Sequence, residues 1–308
     1  MIRTENLTKE FDGFRAVDRV NLEVESGEVL ALLGPNGAGK TTTVRMLTTV
    51  LKPTGGSAWV AGFEVGEQQQ KVREAVGVLT EDHGLYDRMH LEEYLDFFGQ
   101  LYGMKAGKRR ERITKLYTDF GLEDDLNRRI GEFSKGMRQK LSLARTLLHS
   151  PSVLLLDEPT SAMDPESARM VHQAILNLRT EKRAIIICTH NLAEAEILAD
   201  KIAIIRRGKL IAQGSPEALR SQLLGPAEFR VQVLDPLDGL LQGLLESLQI
   251  TDRGRTWFQY RTTNPREVNP GLIQALTAEG IRIIRVEEIE QKLESVYMEA
   301  VRPREREP

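Results

Sequence analysis

Three segments of this 308-residue chain are apolar almost without a break, at residues 29–33, 153–156 and 184–188. Runs this short and this continuous read as strands buried on both faces, as in a parallel sheet covered by helices. Between them the period changes. Residues 41–51 place Val44, Leu47 and Leu51 at helical spacing, and residues 83–150 read as mostly helical. In that stretch Leu91, Tyr94, Leu95 and Phe98 share one face, and Ile113, Leu116 and Phe120 another. Residues 75–79 and 202–205 add strands, the second followed by an Arg206-Arg207-Gly208-Lys209 turn. From residue 221 onward the pattern alternates: Phe229, Val231 and Val233 against Arg230 and Gln232, then Phe258 and Tyr260. Residues 237–248 have helical spacing behind Asp235-Pro236, residues 272–276 suggest another helix and 281–286 another strand. The expectation is an α/β protein of two parts. Residues 1–220 form a mixed core sheet with flanking helices and a helical subdomain at about 83–150. Residues 221–308 form a small α/β module with a disordered tail over 302–308.

The chemistry sits at the ends of the apolar runs. Gly34-Pro35-Asn36-Gly37-Ala38-Gly39-Lys40-Thr41 fits G-x-x-x-x-G-K-[ST] between a strand and a helix, the context this pattern requires. Glycines let backbone N–H groups curl around phosphate oxygens, and the helix N-terminus adds partial positive charge. Lys40 is expected to reach the β- and γ-phosphates and the Thr41 hydroxyl to ligate Mg²⁺, with Thr42 beside them. The 153–156 run delivers Asp157 and Glu158 at its carboxyl end, where open parallel sheets hold their ligands. Asp157 is expected to hold the Mg²⁺ shell, and Glu158, pointing differently, to polarise an attacking water. Ser134 stands where an N-cap belongs, ahead of Met137, Leu141, Ala144 and Leu148 on one helical face. Such a helix end suits an anion.

Taken together and in this order, the motifs of residues 1–220 resemble those of the ATP-binding cassette (ABC) family. Phe11 matches the aromatic that stacks on adenine. Phe133-Ser134-Lys135-Gly136-Met137 matches the family signature, Ser161-Ala162-Met163-Asp164 the loop after the catalytic glutamate, and His190 the switch histidine. The resemblance implies a P-loop ATPase that works as a head-to-tail homodimer. ATP then lies between the P-loop of one cassette and Ser134, Gly136 and Asp164 of the other. It further implies separately encoded transmembrane permease subunits and a peripheral place at the cytoplasmic face of the membrane. Glu81 stands where the family has a glutamine that contacts Mg²⁺ and the membrane partner, which makes it a candidate metal ligand; a carboxylate there binds the metal more strongly but repels the γ-phosphate and the attacking water. Lys135 and Met137 also depart from the usual glycine and glutamine of the signature. The Ser-Lys-Gly-Met signature and the ending Leu293-Glu294-Ser295-Val296-Tyr297-Met298 resemble exporter-type cassettes, including the daunorubicin-resistance type.

Composition narrows the classes that remain. Lys+Arg 42 against Asp+Glu 45 gives a formal charge of −3, so bulk electrostatics give no sign of a nucleic-acid partner. Cys188 is the one cysteine, which rules out an intrachain disulfide, and its apolar neighbours suggest an inert thiol. No signal peptide is visible, and no apolar run approaches the ~20 residues of a membrane span. The rival class is a soluble ATP-driven clamp of translation or DNA repair. Relatives of that kind carry two cassettes or a long coiled-coil insertion, and this sequence carries neither.

Overall fold

The uninterrupted runs become the centre of the first of two compact units, Met1–Pro216 and Glu217–Pro308. The structure, a computed structural model, describes residues 1–80, 84–161, 163–180, 182–237, 248–289 and 293–301. The chain opens with β1 (Ile2–Phe11), β2 (Phe14–Val20), β3 (Glu23–Val24), β4 (Val29–Leu33), α1 (Lys40–Leu47), β5 (Gly55–Val60) and β6 (Phe63–Glu64). It continues through α2 (Gln69–Ala75), β7 (Val76–Leu79), α3 (Leu91–Leu101), α4 (Ala106–Asp119) and α5 (Lys135–Leu147). Next come β8 (Val153–Asp157), α6 (Pro165–Thr180), β9 (Ala184–Thr189), α7 (Leu192–Leu198), β10 (Lys201–Arg206) and β11 (Lys209–Gly214). The last elements are α8 (Pro216–Leu224), β12 (Ala227–Val233), β13 (Gln249–Arg253), β14 (Trp257–Thr262), α9 (Pro265–Ala278), β15 (Ile283–Glu288) and α10 (Leu293–Val301).

A six-stranded sheet runs β11-β10-β4-β9-β8-β7, parallel from β10 to β7, with β11 antiparallel at one edge. Because β4, β9 and β8 are interior strands, both of their faces need cover. Alternate residues meet different layers. Leu30, Leu32, Leu155, Ile186 and Cys188 pack with Ile2, Leu7 and Val60 of the antiparallel sheet β2-β1-β5-β6. Leu154, Leu156, Ile185 and Ile187 pack instead with Tyr94, Leu95, Ile113, Leu116, Phe120 and Leu141 of α3, α4 and α5 and the turn that ends α4. This is why no polar position interrupts the runs. Register places Leu33 opposite Thr189 and Asp157 opposite Cys188, so β4, β8 and β9 all end on one edge of the sheet.

Local chemistry sets the boundaries. α1 stops at Leu47 rather than reaching Leu51 as its spacing suggests. Thr49 adopts φ 65° and the Leu51 N–H turns back to the Arg45 carbonyl, which closes the helix one turn early. Arg207 and Gly208 both have positive φ, the two-residue hairpin that joins β10 to β11. Ala75 belongs to α2, so β7 begins one residue later than expected.

The second unit is built on an antiparallel sheet in the order β13-β14-β12-β15. Phe229, Val231, Val233, Phe258 and Tyr260 form its core with Leu272, Leu276 and Ile281. The expected strand over 281–286 is displaced to Ile283–Glu288, because Ile281 donates its N–H back to Leu276 and closes the turn after α9. The expected boundary near residue 220 falls inside α8. The helix expected over 237–248 and the tail over 302–308 fall largely outside the described residues.

Candidate active site

At the shared edge of β4, β8 and β9 a cleft of about 480 Å³ is lined by Phe11, Phe14, Ala16, residues 36–42, Asp157, Glu158, Ser161 and His190. Its floor is the glycine loop. A side chain at Gly34 would place its first carbon 2.3 Å from the Ile205 carbonyl oxygen. At Gly39, where φ is 111°, the same atom would stand 2.5 Å from the Ala16 carbonyl oxygen. These two positions accept only glycine, since the backbone of a neighbouring strand or turn cannot give way. The loop then delivers the first turn of α1, whose N–H groups have no partner within the helix.

Lys40 is 6% exposed, and its ammonium donates to the carbonyl oxygens of Gly34 at 2.7 Å and Pro35 at 3.3 Å. The Thr41 hydroxyl donates to Asp157 Oδ2 at 2.8 Å, joining the start of α1 to the end of β8. Glu158, the next residue, has φ 50°, and its N–H donates to the Cys188 carbonyl at 2.9 Å. That left-handed turn separates two sequence-adjacent carboxylates. Asp157 faces Thr41, while Glu158 Oε1 lies 2.7 Å from Nδ1 of His190 at the end of β9. His190 keeps 60% of its side chain exposed, and the carboxylate side chain of Glu158 only 13%. Burial, and then the charge of Asp157, push the Cys188 thiol well above its usual range, so it stays inert as the sequence suggests.

The signature residues stand elsewhere in the unit. Ser134 caps α5, its hydroxyl accepting from the Met137 N–H at 3.2 Å, and Lys135 beside it is exposed. Asp164 accepts from the N–H groups of Glu166 at 3.1 Å and Ser167 at 2.9 Å, and those bonds, Ser167's above all, hold its carboxyl below the usual range. Ser134, Gly136 and Asp164 do not line the cleft. Of the other expected ligands, Phe11, Asn36, Gly37, Ala38, Gly39, Lys40, Thr41, Thr42, Asp157, Glu158 and His190 do meet there, with Gly34 and Pro35 holding Lys40. Glu81 lies outside the described residues. Phe14, not among the expected ligands, pairs directly with Phe11 across the β1–β2 hairpin. The signal was present: Asp12-Gly13 is a two-residue turn with both φ values positive, which puts its flanking residues opposite one another.

Comparison with known proteins shows the family. Residues 17–161 match the family model described as ABC transporter. The ABC transporter ATP-binding protein NatA of Bacillus subtilis (strain 168) is 42% identical over 206 residues, covering 67% of this chain and 84% of that one. The chain belongs to the ABC transporter family. Within this ABC family, the daunorubicin/doxorubicin resistance ATP-binding protein DrrA of Streptomyces peucetius is 39% identical, covering 76% of this chain and 71% of the relative. The Nod factor export ATP-binding protein I of Rhizobium sp. (strain N33) is 33% identical and extends over 94% of this chain and 93% of its own. Among solved structures, an ATP-binding subunit of an ABC transporter superposes with TM-score 0.69 at 28% identity, over 73% of this chain and 94% of that one. A dimeric post-hydrolysis structure of the cassette MJ0796, bound to ADP and Pi, shares the fold with TM-score 0.65 at 23% identity, over 70% and 98%. The chain is thus an ABC-transporter ATP-binding subunit with the cassette fold of an ATPase.

Proposed function

We propose that two copies of this subunit bind ATP between them and hydrolyse it to drive export through separate membrane-spanning subunits. The observation that carries the reading is the divergence of Asp157 and Glu158, one carboxylate on Thr41 at 2.8 Å and the other on His190 at 2.7 Å, beside a P-loop. In that role the loop N–H groups and Lys40 bind the phosphates, Lys40 exchanging loop carbonyls for phosphate oxygens. Phe11 and Phe14 offer a ring face to the base. Glu158 accepts a proton from, or orients, the attacking water, and His190 holds that carboxylate and reaches the γ-phosphate.

Thr41 and Asp157 fit Mg²⁺, because a hydroxyl and a carboxylate already in contact supply two hard oxygens. Among the described residues no three His, Cys, Asp or Glu side chains converge, so nucleotide phosphates would complete the shell. The metal would neutralise charge on the β- and γ-phosphates. Ser134, Gly136 and Asp164 would meet the nucleotide of the second copy, consistent with their place outside this cleft.

For the membrane partner, a groove of about 930 Å³ between α1, β7 and α3 is lined by Val44, Val50, Val76, Phe98 and Tyr102. Tyr86, Phe97 and Leu101 on the same subdomain are also exposed. Among the described residues no helix is long and apolar enough to cross a membrane, so the pore would come from that partner and this subunit would attach peripherally at the cytoplasmic face. Export, rather than import, rests on the names of the resistance and Nod factor relatives.

Two variants test the site. Lys40→Ala is expected to weaken ATP binding at every Mg²⁺ concentration, whereas the defect of Asp157→Asn should shrink as Mg²⁺ is raised. Titration of a fluorescent ATP analogue reads both. Parent-like affinity in both variants, at all metal concentrations, would remove the assignment.

A further inference from the structure

One polar side chain used by none of these roles lies directly behind the catalytic turn. Gln139 of α5 is 3% exposed, among the least accessible polar groups described. Its Nε2 donates to the Pro159 carbonyl oxygen at 2.7 Å and approaches that of Glu158 at 3.4 Å. Two carbonyl acceptors fix which end of the amide faces them, because only the nitrogen carries hydrogens. The turn it touches is strained. Glu158 holds φ 50°, a conformation that a side chain with a Cβ rarely adopts and that persists only when its surroundings enforce it. The constraints can be named: Glu158 N–H to Cys188, Ser161 N–H to the Glu158 carbonyl, Thr160 hydroxyl to the buried Glu194, and Gln139 to two successive carbonyls. Of these, Gln139 alone comes from the helical subdomain.

The same helix is capped by Ser134, and about two turns beyond Gln139 its Thr146 hydroxyl donates to the Val78 carbonyl near the end of β7. Thus α5 is fastened to the ends of two neighbouring strands through buried side-chain hydrogen bonds. Gln139 is the one of these that reaches the catalytic turn.

We infer that Gln139 is a positioning residue for hydrolysis, holding the Glu158–Pro159 backbone so that the Glu158 carboxylate stays aligned with His190 and water. It acts through Glu158 and touches no substrate. The inference rests on the reading of Glu158 as the residue that orients water. Removing the donor leaves two buried carbonyls less satisfied and frees the turn to relax toward ordinary φ. A shift of the carboxylate by a fraction of an ångström up to about 1 Å costs roughly ten- to a hundredfold in rate. ATP binding, carried by the P-loop, should be spared.

The experiment compares Gln139→Met, which keeps length without a donor, with Gln139→Glu, which sets an acceptor against two acceptors. ATP affinity, kcat and melting temperature are measured in the full chain, and Gln139→Met is repeated in a Glu158→Gln background by single-turnover phosphate release. The expected result is a kcat lowered roughly ten- to a hundredfold in both, with ATP affinity within about twofold of the parent. In the Glu158→Gln background the same change should lower the residual rate less than about twofold, because both act on one step. A folded Gln139→Met with parental kcat would overturn the inference. So would equal losses in the two backgrounds, or a loss confined to ATP affinity. If both variants fail to fold, Gln139 belongs to the stability of the core and the inference falls. Should Glu158→Gln itself turn over like the parent, the fault lies with the reading of Glu158 instead.

Discussion

At the scale of single residues, the positions that line the cleft were readable because the chemistry proposed for them admits few alternatives. Gly34 and Gly39 face backbone carbonyls at 2.3 and 2.5 Å from where a side chain would begin, and a sequence pattern records that requirement directly. Gln139 was not readable, since Arg138 and Lys140 flank it and its burial depends on strands far away in the chain. The trace it leaves is faint: Gln139, Ser142 and Thr146, all buried, stand at helical spacing as a polar stripe where an exposed face would be assumed. His149 shows how burial, more than neighbouring charge, alters a residue's chemistry. Its Nε2 meets the Val76 carbonyl at 3.2 Å, its ring stacks on Tyr102 at 4.0 Å, and its buried Nδ1 has no partner. Burial holds its pKa below the ordinary histidine value. The unfolded chain therefore takes up a proton first, near pH ~6.5. Stability from this group is complete above that value and declines as pH falls through the lower folded one. Thermal melts between pH 7.5 and 5.5 should show a loss that His149→Gln reduces, and an unchanged loss would contradict this.

At the scale of elements, strands buried on both faces were the most legible feature, because β4, β8 and β9 pack against a layer on either side. Ends were less so. α1 closes early through a positive-φ threonine and β15 starts late behind a turn, and both depend on one or two backbone hydrogen bonds that periodicity does not carry. α5 joins element to function, because its cap residue is also the proposed ligand for the second nucleotide. The two roles separate by substitution. Ser134→Ala should cost about 0.5–2 kcal/mol through the lost cap, whereas Ser134→Asn caps comparably and should melt like the parent. If Ser134 meets the second nucleotide, both variants lose most of their turnover. An asparagine variant that melts and hydrolyses like the parent would leave Ser134 as a cap only.

At the scale of the whole molecule, the alternating C-terminal unit was legible as a folded unit, and its core of Phe229, Val231, Phe258 and Tyr260 follows that alternation. Its purpose is not written in any motif. A chain truncated near Gly225 is expected to keep a folded, ATP-binding cassette but to self-associate more weakly without nucleotide. Sedimentation of the two forms decides this, and identical association constants would leave the unit without a role in assembly. The central claim is that Glu158 orients water at a site completed by a second copy, and Glu158→Gln tests it most directly, since a neutral amide keeps the shape and removes the base. With ATP and Mg²⁺, sizing and turnover measured on one preparation should show association that tightens with ATP and relaxes with ADP, and a rate lowered by roughly a hundredfold or more. Near-parental hydrolysis, or a size indifferent to ATP, would contradict the account.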